Sequence, residues 1–115
     1  MTYESVMKIF ADYIASDNMI DVVNSKWGYM FIYIDTELLR SSGKILFTEL
    51  VLCETPEKLY NKLKETFIEY EATKICEEKK KNKLIEEFDE DKELELATQS
   101  AEDKLYIYLK GHSIH

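Results

Sequence analysis

Two histidines and two cysteines are the residues of this 115-residue chain that could bind a transition metal. His112 and His115 share the C-terminus, and their imidazoles together with the thiolates of Cys53 and Cys76 would suit zinc. Structural zinc sites, however, usually have a second cysteine a few residues from the first, and neither cysteine here has one. We therefore expect no metal site and no cofactor, and we interpret both cysteines as free thiols packed among apolar side chains.

Nucleophilic and acid-base catalysis have equally weak support. A cysteine nucleophile needs an imidazole held beside its thiolate, whereas both histidines lie at the end of the chain, where termini commonly fray. No Gly-x-Ser-x-Gly motif is present for a serine nucleophile. Glu49, inside the third predicted strand, is the carboxylate that could lie in an apolar pocket, and its interpretation as a solvent-facing residue is favoured over a catalytic one. We predict no catalytic residues, and an enzyme is the least supported class.

Negative charge dominates the composition, with a formal net charge of −8 and a pI near 4.8. Such a chain repels phosphate backbones and anionic membranes, and Arg40 is its only arginine. The longest apolar run, Tyr29 to Ile34, is far too short to cross a bilayer, and charges such as Glu4 and Lys8 interrupt any signal peptide. We expect a cytoplasmic protein that binds neither nucleic acid nor membrane directly.

Seven carboxylates are concentrated in one segment, which we call the acidic block: Glu86, Glu87, Asp89, Glu90, Asp91, Glu93 and Glu95, with Lys92 as the only base among them. Such a run is usually a solvated helix face or loop. The sharper interpretation is a row of carboxylates that imitates nucleic-acid phosphates and steers the chain to a basic cleft. The lysines just upstream weaken a pure mimic, since they could pair with these acids.

Two predicted strands are apolar on both faces, which indicates a second candidate surface. Tyr29, Phe31 and Tyr33 alternate with Met30, Ile32 and Ile34, and the segment Ile45 to Cys53 alternates in the same way. Helices cover both faces, or a partner or second copy covers one of them. Because aromatic residues favour interface cores, we predict that the aromatic face binds a partner. Its members are Tyr29, Phe31, Tyr33 and Phe47.

The surrounding pattern predicts the elements that position these residues. Apolar residues at three- and four-residue intervals from Tyr3 to Ile14 predict a first helix, capped by Thr2 and ending at Asp17-Asn18. A brief strand, Ile20 to Val23, precedes a turn at Asn24-Ser25-Lys26, and Asp35 to Lys44 is interpreted as a loop between the two strong strands. The three strands should form an antiparallel meander.

The second half of the sequence predicts long helices. Thr55-Pro56-Glu57 is typical of a helix start. The stretch Glu77 to Lys83 has no apolar residue, so the helix projects into solvent there or breaks, and Leu84, Ile85 and Phe88 resume the pattern. The last segment is predicted as helix, although 104–110 also alternates like an edge strand. The expected fold is α+β in a single domain, 1–115: a helix, a three-stranded antiparallel sheet and a long helical half.

In size and composition the chain resembles the accessory and inhibitor proteins of bacteriophages and mobile elements, anti-CRISPR proteins among them. The shared features are a small, acidic, lysine-rich chain without catalytic motifs. The resemblance implies a non-enzymatic protein that blocks or regulates a larger partner with a basic, nucleic-acid-handling cleft. The alternative is a homodimeric structural or regulatory module with no nucleic-acid-related target.

Overall fold

The computed structural model describes residues 1–82 and 90–112, and it has the predicted α+β fold. Its elements in chain order are α1 (Tyr3–Ser16), β1 (Ile20–Ser25), β2 (Gly28–Ile34), α2 (Thr36–Ser42), β3 (Phe47–Cys53), α3 (Pro56–Asn82) and α4 (Glu90–His112). The chain forms two compact units, a sheet unit of Met1–Leu63 and a helical unit that begins at Lys64. Helix α3 begins in the first unit and continues into the second.

Helix α1 begins and ends as the sequence predicts. The Thr2 hydroxyl accepts a hydrogen bond from the Ser5 amide at 3.1 Å, and the Ser5 hydroxyl accepts one from the Thr2 amide at the same distance. At the other end the Asp17 carboxylate accepts from the Tyr13 hydroxyl at 2.8 Å and from the Met19 amide at 3.1 Å. These bonds satisfy otherwise unpaired groups and direct the chain from α1 into β1.

The sheet is antiparallel with strand order β1-β2-β3, as predicted. Strand β1 continues through Ser25, two residues beyond its predicted end, and the Ser25 hydroxyl donates to the Gly28 carbonyl across the turn at 2.6 Å. Gly28 has φ +130°, a conformation that side-chain-bearing residues rarely adopt. A Cβ added there would also lie 3.3 Å from the Cys53 carbonyl oxygen of β3. This glycine therefore allows the hairpin to lie close to the third strand.

The prediction of a loop over Asp35 to Lys44 is wrong in part, because Thr36–Ser42 forms the short helix α2. The Asp35 carboxylate caps it by accepting from the Leu38 amide at 3.0 Å. Gly43 ends it in the left-handed conformation, with φ +71°, and its amide donates to the Leu39 carbonyl at 2.9 Å. The Ser-Ser-Gly sequence that suggested a loop is thus the end of a helix.

Helices α3 and α4 settle two open alternatives. Helix α3 has Pro56 as its first residue, as predicted, and continues without a break through Glu77 to Asn82. Predicted apolar positions Leu84, Ile85 and Phe88 lie outside the described residues. Helix α4 includes the whole of 104–110, so the edge-strand alternative there is wrong. Leu105 is buried on the helix with Ala101 and Ala97, at the four-residue spacing of one helical face.

Within the helical unit α3 and α4 are antiparallel, because contacts that advance along α3 retreat along α4. Phe67 packs on Tyr108 with ring centres 5.1 Å apart, and Glu71 pairs with Lys104 at 3.3 Å. Three small residues, Ala72, Ala97 and Ala101, form the buried cluster between the helices. Alanine at these positions lets the two backbones approach closely.

Candidate functional site

The predicted aromatic face of β2 is the covered face of the sheet. Phe31 is fully buried, and Val51 of β3 and Val22 of β1 are its cross-strand neighbours. Tyr29 stacks on Tyr3 of α1 with ring centres 4.5 Å apart and planes 10° from parallel. Helix α1 therefore packs on this face, where Phe31 belongs to the core of the sheet unit and Tyr29 is half-buried.

Lys62 of α3 also packs on this face of the sheet. Its ammonium lies 5.2 Å from the centre of the Phe31 ring and forms an ion pair with Glu49 of β3. Tyr33 pairs across the strands with Ile20 and Glu49, and it is half-buried. Glu49 is exposed, in agreement with its interpretation as a solvent-facing residue, and its charge is compensated within the unit.

Phe47 does not share a face with the other three aromatic residues. The pairing of β2 with β3 contains a bulge at Tyr33/Ile34, which leaves Thr48 as the extra residue and sets Phe47 opposite Ile34. The Thr48 hydroxyl donates to the Tyr33 carbonyl at 3.2 Å beside this irregularity. Because cross-strand partners lie on one face, Phe47 joins the side of Met30, Ile32 and Ile34. The predicted grouping of Phe47 with Tyr29, Phe31 and Tyr33 is therefore wrong.

The opposite side of the sheet carries several exposed apolar side chains, and we call it the open sheet face. Its apolar members are Val23, Met30, Ile32, Ile34, Phe47, Leu50 and Leu52, and the exposed Asp21 of β1 lies on the same face opposite Ile32. Ile32 at its centre is buried, whereas Leu50 is 56% exposed, Phe47 47%, Val23 43% and Leu52 38%. Ile45 and Leu46, just before β3, are exposed as well. On this face of β3, the exposed side chains of Phe47, Leu50 and Leu52 are thus all apolar.

Strand β3 is also an edge strand, since among the described residues it has a strand neighbour on one side only. Its sequence from Phe47 to Cys53 contains neither lysine nor proline, the residues that commonly protect exposed edges. Its one charged residue, Glu49, lies on the covered face and is paired with Lys62. The exposed side of β3 therefore carries no charge of its own.

The acidic block lies mostly outside the described residues. Glu86, Glu87 and Asp89 fall there, and the side chain of Glu90 is not described. Asp91 is exposed on α4. Glu93 is only 7% exposed and pairs with Lys79 of α3 at 3.1 Å. Glu93 therefore joins the two helices instead of presenting its charge to a partner.

Neither cysteine lies in a setting that activates a thiol. Cys53 is buried in the sheet unit, and burial raises the pKa of its thiol, while Lys62 acts in the opposite direction. The Cys76 thiol donates to the Glu93 carbonyl at 3.8 Å in the helical unit. His112 stacks on Tyr108 with ring centres 3.9 Å apart, and His115 lies outside the described residues. In residues 1–82 and 90–112 no three potential metal ligands come together.

The exposure of Leu50 and Leu52 was not recognised in the sequence, although one signal for it was present. Both strong strands are apolar on two faces, and a chain with few helices makes one face without a helix an open alternative. The choice between the faces depends on Tyr3 and Lys62, which are distant in sequence from the strands that they cover.

Comparison of the chain with protein-family models, with curated proteins and with solved structures found no match. In the described part of the chain, no helix combines the length and apolar character needed to span a membrane. A function for this chain must therefore be argued from its own surfaces.

Proposed function

We propose that this chain is a non-enzymatic, cytoplasmic protein-binding module that blocks or regulates a larger partner, and that the open sheet face is its docking surface. The observation that supports this proposal is the continuous exposure of apolar side chains along β3, including Phe47, Leu50 and Leu52. Exposed apolar patches of this kind commonly mark protein interaction sites.

Covering the exposed side chains of the open sheet face removes apolar surface from water, which favours binding. Burying a leucine or phenylalanine side chain that was exposed stabilises the buried state by about 1.5–3 kcal/mol. Leu50 and Phe47 are each about half exposed, so a partner that covers them recovers a substantial part of that amount from each. A few well-packed residues at the centre of an interface commonly supply most of its affinity.

The charge of the chain supports a basic partner. A net charge of −8 attracts positively charged surfaces at long range and raises the rate of encounter, while the apolar side chains of the open sheet face supply the short-range contact. A nucleic-acid-handling protein with a basic cleft has the complementary charge, as the resemblance to phage and mobile-element inhibitors implies. In this proposal the acidic block steers the encounter, and Phe47 is the member of the predicted aromatic set that reaches the partner.

Capture of a partner by matched variants tests this proposal. The substitutions Leu50→Ser and Leu52→Ser together remove two anchors of the open sheet face. Leu94→Ser and Leu96→Ser together are the control, since these residues of α4 are 52% and 44% exposed. Immobilised wild type and both variants are incubated with bacterial lysate, and the captured proteins are quantified by mass spectrometry. We expect one set of proteins to be captured by wild type and by the α4 control and lost from the sheet variant.

Circular dichroism of the variants ensures that a loss of capture is not a loss of folding. Exposed sites such as Leu50 are expected to tolerate the change within about 1 kcal/mol. If the sheet variant is folded and captures the same proteins as wild type, the open sheet face is not the docking surface.

A further inference from the structure

We infer that two copies of this chain pair through their β3 edges, which joins their sheets into one continuous antiparallel sheet. The inference goes beyond the proposed function because it concerns the main-chain edge of β3, whereas the proposed partner occupies the open sheet face. The natural occupant of an unpaired strand edge is another strand, since its amide and carbonyl groups need hydrogen-bond partners.

The charges at the two ends of β3 favour a second copy in antiparallel orientation. Lys44 precedes the strand and Glu54 follows it, and both are exposed. Glu54 also lies 3.7 Å from Lys58, an exposed pair that solvent screens. An antiparallel partner of the same sequence sets Lys44 of each copy at the end of the strand where the other copy has Glu54. With a twofold axis at Leu50, Lys44 lies opposite Pro56 of the second copy, and Glu54 is its diagonal neighbour, within reach of a lysine side chain. A parallel arrangement brings like charges together instead.

Within the strand, one register avoids unfavourable contacts. A twofold axis at Glu49 sets two carboxylates opposite each other. An axis at Leu50 sets Leu50 against Leu50 of the second copy and Glu49 against Val51, so no like charges meet. In that register the exposed leucines of both copies also form one apolar surface. The other edge strand, β1, is less suited to this pairing because Asp21 and Asn24 interrupt its apolar residues.

Disulfide cross-linking tests the pairing and its register together. Residues directly opposite each other in antiparallel strands lie at a distance that a disulfide spans. Leu50→Cys is therefore expected to form a covalent dimer under mild oxidation, in the full-length chain. Leu96→Cys is the control, because it places a thiol on α4 at a position that is 44% exposed, against 56% for Leu50. The wild-type chain, with Cys53 and Cys76 alone, gives the background of cross-linking.

Charge substitution supplies an independent test that does not need a new thiol. Leu50→Lys sets two ammonium groups opposite each other, and Leu50→Glu does the same with two carboxylates. Each variant alone is expected to sediment as a monomer of 13.6 kDa, and an equimolar mixture should recover a dimer of twice that mass. At concentrations where each variant alone is a monomer, the wild type should sediment as a dimer.

The pairing is overturned if wild type stays monomeric at protein concentrations from about 1 μM to about 1 mM and Leu50→Cys is no more cross-linked than Leu96→Cys. Capture of a partner by that monomeric protein would leave the proposed function intact. A dimer that captures no partner would instead support the pairing and count against the proposed function, so the two failures are distinguishable.

Discussion

Among the described residues, the fully buried side chains of the sheet unit are larger than those of the helical unit. The fully buried residues of the sheet unit include Phe10, Phe31, Leu59 and Leu63. The helical unit has the cluster Ala72, Ala97 and Ala101 between its two helices. A core of large side chains loses stability when one is truncated, whereas a seam of alanines loses it when one is enlarged. Stability in the two units should therefore respond to opposite kinds of substitution.

Both units expose apolar side chains, which include Tyr106 and Ile107 of the helical unit at 70% each. The sheet unit exposes the leucines of β3, which carry no charge. The helical unit contains ion pairs along its helices, such as Lys79 with Glu93 and Lys104 with Glu71. In the proposed function, the open sheet face supplies the short-range contact and the helical unit contributes charge.

Truncation of the sheet core should have the largest effect. Phe31→Ala removes a fully buried ring that contacts Lys62, and it should lower the free energy of unfolding by about 3–5 kcal/mol. Phe47→Ala is the matched control, because Phe47 is 47% exposed on the other face of the same sheet. Urea unfolding followed by circular dichroism measures both. Equal losses for the two variants would contradict the assignment of the covered and open faces.

Enlargement of an alanine in the cluster between α3 and α4 should have the next largest effect on stability. Ala101→Leu adds volume at a fully buried position and should lower the free energy of unfolding by about 1–3 kcal/mol. Ser100→Leu makes a similar addition at the exposed neighbouring position, and we expect a change within about 0.5 kcal/mol. The same urea titration distinguishes them. A stabilising Ala101→Leu would show that the helices are not closely packed there.

Loss of the ion pair between Glu93 and Lys79 should have a smaller effect on the free energy of unfolding. Glu93→Gln leaves Lys79 without its partner across the helices, and the expected loss is about 1 kcal/mol because the lysine is partly exposed. Asp91→Asn, a neighbouring exposed acid of the acidic block, should change stability by less than about 0.5 kcal/mol. If both substitutions are equally neutral, Glu93 is a surface charge and remains available to a partner.

The smallest effect should be a decline in stability at alkaline pH. Burial raises the pKa of the Cys53 thiol, so the folded state binds that proton more tightly than the unfolded state. Its contribution is complete below the ordinary thiol value of 9.0 and is lost as pH rises toward the folded pKa. Cys53→Ala should reduce this decline in unfolding experiments at neutral and alkaline pH. An unchanged pH profile would exclude the Cys53 thiol as its source.

Much of the fold was predictable because its signals are local. The cap at Thr2, the apolar spacing of α1 and the proline at the start of α3 each act within a few residues. Helix α2 was missed because Ser41, Ser42 and Gly43 are common in loops, although Asp35 and Gly43 are also typical helix caps.

The candidate site was less predictable because it depends on distant contacts. Alternation showed that β2 and β3 are apolar on both sides, but Tyr3 and Lys62 determine which side is covered. The bulge next to Ile34 then moves Phe47 to the other face, and no residue type in that segment indicates it.

The most direct test of the account is the rate at which a captured partner dissociates from wild type and from the variant with Leu50→Ser and Leu52→Ser. Losing two leucine anchors should raise the dissociation rate at least about tenfold, since about 1.4 kcal/mol corresponds to a factor of ten. Neutralising Glu87, Asp89, Glu90 and Asp91 should instead lower the association rate and its salt dependence, with little change in dissociation. A sheet variant that dissociates as slowly as wild type would contradict the central claim that the open sheet face is the binding surface.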